Sequence, residues 1–101
     1  MKPPENWIEV KNGKRYDASK STLLAGDDYW DGHNYERHGR NTFLYRTPKG
    51  NYFAIRLTRW QGEIDTLQAL TQDEAVTLWD ELPEKRVSFE AAFPNVSIED
   101  A

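Results

Sequence analysis

The sequence predicts an α+β fold: a small antiparallel sheet built on a central β-hairpin, one face covered by a helix from the C-terminal half. Three observations predict it. Residues 41–60 alternate in polarity about a Thr47-Pro48-Lys49-Gly50 bend. Residues 71–82 repeat apolar side chains at helical spacing behind a capping signal. Residues 7–17 hold a second, shorter hairpin around Asn12-Gly13. The chain has 101 residues, which fits one domain over 1–101 with looser ends at 1–6 and 95–101. Aromatic residues make up 13%, so a few large rings carry most of the core.

The elements follow in order. Trp7-Ile8-Glu9-Val10 reads as a strand, and Arg15-Tyr16-Asp17 returns beside it, because Asn-Gly takes positive φ at both central turn positions. Ser21 to Ala25 is a helical turn or a short strand, closed by Gly26. Asp27 to Gly39 holds three Asp, two Gly and two His among aromatics, and reads as a long ordered loop with a short strand around Asn34-Tyr35-Glu36. In the main hairpin, proline presets φ at the second turn position and Gly50 accepts the left-handed conformation, giving a bulged turn. That register pairs Tyr45 with Phe53 and Phe43 with Ile55. Phe43, Tyr45, Phe53, Ile55 and Leu57 then share one face, expected to meet the helix. Leu44, Arg46, Tyr52, Ala54, Arg56, Thr58 and Trp60 share the other, expected to face water.

Gln61-Gly62 interrupts the pattern, and residues 63–69 supply another strand. Thr71 with Glu74 three positions later forms a capping box signal. Ala75, Leu78, Trp79 and Leu82 make the apolar stripe of the helix, with Asp73, Asp80 and Glu81 opposite, and Pro83 ends it. Ser88 caps a last short turn carrying Phe89, Ala92 and Phe93 on one face.

Composition limits function. With no cysteine, disulfides, thiolate metal sites and a Cys nucleophile are excluded. No apolar run reaches the length of a membrane span, and Met1-Lys2-Pro3-Pro4 leads into polar sequence without a signal-peptide pattern, so the expectation is a soluble cytoplasmic protein without a membrane partner. The net charge of −4 is unevenly laid out. Residues 1–26 carry five Lys/Arg against three Asp/Glu, residues 27–62 six against four, and residues 63–101 two against ten.

Two constellations bear on chemistry. Asp27, Asp28, Asp31, His33 and His38 combine carboxylates with imidazoles, the donors of divalent metals. The helix that a His-Asn-His nuclease needs after His38 is not evident, and solvated loop acids explain the cluster more simply. No metal, cofactor or catalytic residue is therefore assigned. Arg46, Tyr52, Arg56 and Trp60 interleave cations and rings on one strand face, with Arg40, Lys49 and Arg59 near in sequence. Such a face offers anchors to a protein partner. It also offers what single-stranded nucleic acid uses, cations for phosphates and rings for bases. The acidic last third opposes nucleic acid unless it is held on the far side.

Leu44-Tyr45-Arg46-Thr47 with Gly50-Asn51-Tyr52-Phe53, then Leu70-Thr71, Glu74-Ala75 and Trp79, with Lys14-Arg15-Tyr16-Asp17 upstream, resembles small accessory proteins carried on bacterial phages, plasmids and other mobile elements. The resemblance covers about half of the chain in three patches. It implies a sheet-plus-helix fold and no defined activity. The expectation is a non-enzymatic intracellular module, a regulator or inhibitor docking on a protein partner through Arg46, Tyr52, Arg56 and Trp60, with single-stranded nucleic-acid binding as the alternative. If Trp79 packs as the stripe predicts, Trp79→Ala should cost on the order of 3–5 kcal/mol in urea unfolding.

Overall fold

The computed structural model describes residues 2–28 and 39–101. Two strands, β1 (Ile8–Lys11) and β2 (Lys14–Asp17), pair as an antiparallel hairpin. A 3-10 turn at Ala18–Lys20 leads to β3 (Thr22–Gly26). Then come β4 (Arg40–Arg46), β5 (Tyr52–Thr58), β6 (Thr66–Leu70), helix α1 (Gln72–Glu81), the short β7 (Glu84–Lys85) and helix α2 (Phe89–Ala92). The second sheet has the order β6-β5-β4-β3-β7, antiparallel throughout.

Local sequence explains most of these boundaries. Asn12 and Gly13 both have positive φ, 52° and 75°, which is the turn geometry that matches the twist of the flanking strands. At the other hairpin, Gly50 donates its N–H to the Thr47 carbonyl at 2.9 Å, with φ 87°. Thr47 N–H donates to the Asn51 carbonyl at 2.8 Å, and the pairs Tyr45 with Phe53 and Phe43 with Ile55 form as the bulged turn requires. Thr71 and Glu74 close the capping box on α1, and the Ser88 hydroxyl accepts from Ala91 N–H at α2. The backbone and side-chain hydrogen bonds from Thr71 hold the Glu74 carboxyl below its ordinary value.

Residues 22–26 resolve the open choice in favour of a strand. Its pairing with β4 skips one residue between Leu23 and Ala25, a bulge that lets both Leu24 and Ala25 join the core on the helix side while Leu23 packs on the other.

The register is the expected one, but the expected assignment of faces is overturned. Helix α1 does not lie on Phe43, Tyr45, Phe53 and Ile55. It packs on the opposite face, with Leu24, Ala25, Leu44, Tyr52, Ala75, Leu82, Ala92 and Phe93 in one buried cluster and Leu70, Val76, Leu78 and Trp79 at its margin. Phe43, Tyr45, Phe53, Ile55 and Leu67 are covered instead by Tyr16 and Ala18 from the N-terminal hairpin and the turn after it, with Trp7 alongside. Tyr45 stacks on Phe53 with ring centroids 5.0 Å apart, and Tyr16 meets Phe53 edge-on at 5.5 Å. The physical reason is that both parities of β4 and β5 are apolar enough to need cover. Phe43, Phe53, Ile55, Leu44 and Ala54 are all 0% exposed. One helix covers one face only, so the hairpin must cover the other.

The lead-in is also less loose than expected. The Tyr45 hydroxyl donates to the Pro4 carbonyl at 2.8 Å, and burial pushes that phenol up to about 12, so it remains a donor. Ala18 N–H donates to the Trp7 carbonyl at 2.9 Å. At the other end Val96 still packs against the helix-side core.

This two-sided core sets an ordering that urea unfolding can check. Phe53→Ala empties the hairpin-side core and should cost about 3–5 kcal/mol. Tyr52→Phe removes only the buried hydrogen bond from its hydroxyl to the Ala92 carbonyl, 2.9 Å, and should cost about 0.5–1.5 kcal/mol.

Candidate functional site

The four residues expected to share an open face do not form one site. Arg46 pairs with Tyr52 beside the Thr47–Gly50 bend. Tyr52 is 5% exposed, packs its ring against Phe93 at 5.1 Å with a 32° tilt, and spends its hydroxyl on Ala92. It is a core residue and no anchor, because its face is the one α1 and α2 cover. Arg46 is half-buried, with its guanidinium folded over the turn. A side-chain carbon added at Gly50 would sit 3.3 Å from its NH2 nitrogen.

Arg56 lies further along β5 and donates to Gln68 on β6. It lines a shallow groove of about 280 Å³ between the sheet and α1, with Glu74 and Glu81 on the helix side. That volume is just below the range of small-molecule sites.

Trp60 stands beyond the far end of the hairpin. Arg46 is six strand steps from Arg40, roughly 20 Å at strand rise. Here the chain builds a rigid turn after β5. The Thr58 hydroxyl donates to Glu63 Oε1 at 2.5 Å and accepts from Trp60 N–H at 3.1 Å. Thr58 N–H donates to Asp65 Oδ1, Glu63 N–H to the Trp60 carbonyl, and Arg59 N–H to the Gly39 carbonyl. Arg40 binds Glu63 through two nitrogens, at 3.1 and 2.6 Å, while its guanidinium carbon lies 5.4 Å from the centre of the Trp60 ring. Within this frame Trp60 is 52% exposed and Ile64, in the same turn, 80%. Sequence reasoning found Trp60 but not the frame. Thr58, Glu63 and Asp65 follow no periodic pattern, and only the Gln61-Gly62 break pointed to a turn.

The first two members of the Asp/His constellation, Asp27 and Asp28, have structural roles. Asp27 Oδ1 accepts from Thr42 N–H at 2.7 Å and from Asn41 Nδ2 at 3.1 Å, closing the start of β4. Asp28 accepts from Arg86 NH2 through both oxygens at 3.0 Å, tying β7 to the end of β3. Asp31, His33 and His38, and the strand expected around Asn34, lie outside the described residues. Among the described residues no group of three or more His, Asp or Glu is placed to hold a metal, and no helix is long and apolar enough to cross a membrane.

Charge separates across the sheet. The hairpin layer carries Lys11, Lys14, Arg15 and Lys20 against Glu9 and Asp17. The helix layer carries Asp73, Glu74, Asp80, Glu81, Glu84 and Glu90 against Lys85, while Arg86 reaches Asp28 and lies beside Ala18 and Tyr45 on the hairpin side. Six of the ten acids of the last third thus belong to the helix layer, while Glu63 and Asp65 sit in the turn after β5.

Hydrogen bonds from Arg40 and Thr58 hold the Glu63 carboxyl below its ordinary value of 4.5. A carboxyl depressed on folding stabilises above its unfolded value, and the contribution fades as pH falls through the lower folded value. Acidification below 4.5 should therefore loosen this turn, read as a shift of the Trp60 indole N–H resonance, and Glu63→Gln should abolish that titration at constant fold. Searches against protein-family models, curated proteins and solved structures returned no match for this chain.

Proposed function

We propose that this chain is an interaction module that docks on a protein partner through the Trp60 turn. The observation that carries the reading is a half-exposed tryptophan held on a turn that hydrogen bonds fix from both sides. Interface energy concentrates in such residues, because a large ring already held in place loses little freedom on binding. Ile64 extends the apolar contact, and Arg40, Arg59, Glu63 and Asp65 give the rim charges of both signs. Arg56, on the groove beside α1, is the second expected anchor that stays near the surface. The role proposed for the module is regulation or inhibition of that partner.

Single-stranded nucleic acid is the weaker reading for this face. Base stacking needs open rings, and Tyr52 is in the core.

The immobilised chain should capture a discrete protein from lysate of its native host, and the isolated pair should then be measured by biolayer interferometry. Trp60→Ala should weaken that complex by at least about tenfold, as an anchor costing more than about 1.4 kcal/mol does. Val10→Ala, an exposed residue of the hairpin layer, should leave it unchanged. A folded Trp60→Ala protein that keeps full affinity would overturn the assignment.

A further inference from the structure

The opposite end of the main hairpin carries a second feature that the Trp60 turn does not explain. The Asn12–Gly13 turn, the chain around Lys20–Ser21 and the Thr47–Asn51 turn enclose a cleft of about 420 Å³. Lys14, Arg15, Lys20 and Lys49 line it, brought together from three separate stretches of chain. Asp17 is the one carboxylate in the wall. It is occupied locally, accepting from Ser19 Oγ at 2.6 Å and Ser19 N–H at 3.0 Å.

Among the described residues none of the four cations has a carboxylate partner within 4.0 Å, a lack that Arg46 and Arg56 share. Lys11 pairs with Glu9, Arg40 with Glu63 and Arg86 with Asp28. The one hydrogen bond among the four cations of the cleft is a long one, from Lys14 Nζ to Asn51 Oδ1 at 3.5 Å. Like charges gathered in a concave wall focus the field and attract an anion. The acidic helix layer lies across the sheet and does not cancel it.

Size and lining narrow the ligand. The volume falls inside the range of small-molecule sites. Four cations against Asp17 leave a surplus that suits more than one phosphate group. No aromatic ring lines the cleft, so nothing there stacks a base. We propose that this cleft binds a small anion bearing a diphosphate or triphosphate group, whose oxygens are held by Lys14, Arg15, Lys20 and Lys49. The bound species is either free inorganic polyphosphate of this size or the phosphate tail of a nucleotide.

Titration of the isotope-labelled full chain by NMR tests this, with inorganic pyrophosphate as the primary probe and orthophosphate, adenosine diphosphate and a short oligothymidylate beside it. Pyrophosphate should shift the amides of residues 13–21 and 47–51 saturably, and at least about tenfold more tightly than orthophosphate. Lys49→Glu and Lys20→Glu, both at exposed positions, should each weaken it by at least about tenfold with the fold intact by thermal melt. Lys11→Gln, on the same layer but outside the cleft, should leave it unchanged. Adenosine diphosphate equal to pyrophosphate supports a site for the phosphates alone, and tighter binding supports a nucleotide. Unsaturable shifts spread over every basic residue, or unchanged affinity in both glutamate variants, would overturn the site. Oligothymidylate binding tighter than the diphosphates would replace it with single-stranded nucleic acid.

Discussion

The β4–β5 pair is apolar on both faces, and the rest of the molecule is arranged around covering it twice. On one side Leu44 and Tyr52 lie under α1 and α2. On the other Phe43, Tyr45, Phe53 and Ile55 lie under Tyr16, Ala18 and Trp7. Each fully buried Leu, Ile or Phe in such a pair is worth roughly 1.5–3 kcal/mol of transfer. Neither cover alone suffices, since removing either one exposes a row of rings or aliphatic side chains. The 3-10 turn after β2 matters for the same reason. Asp17 caps it and Ser21 Oγ donates to the Asp17 carbonyl at 2.7 Å, which directs the chain from the hairpin layer into the main sheet.

The double cover also decides where surface chemistry is available. Most of the middle of the sheet is covered on both sides, which leaves the Arg56 groove beside α1 and the two ends. At the bend end, two tight turns and the 3-10 segment meet and leave a basic cleft. At the open end, β5 runs out into the Thr58–Asp65 turn and presents Trp60 and Ile64. These ends differ in kind: one is a cleft lined by cations and without rings, the other exposes Trp60 and Ile64. The charged small molecule proposed above belongs to the first and the proposed protein partner to the second, and the length of the hairpin keeps them apart.

Several carboxylates of the described residues close local structure. Asp27 and Asp28 close strand ends, Glu63 clamps a turn, and Glu74 completes a cap. Each carboxylate answers backbone donors or a cation that the fold would otherwise leave unpaired. Asn41, 1% exposed, donates to Asp27 for the same purpose.

By itself the sequence determined the local elements: the two hairpin turns, the pairing of Tyr45 with Phe53, the capped helix with its Ala75–Leu82 stripe, and the Ser88 cap. Those depend on neighbours in the chain, on turn chemistry, strand alternation and helical period, and are legible without coordinates. Which face of the hairpin the helix would choose was not. Phe43 and Phe53 outweigh Leu44 and Ala54 in apolar area, so a single cover would be drawn to the rings. Only the tertiary structure shows that the rings take the Tyr16 hairpin and leave the helix to Leu44 and Tyr52. The same limit hid the gathering of Lys14, Lys20 and Lys49 and the clamp of Arg40 on Glu63, because contacts between distant stretches of chain leave no mark in spacing.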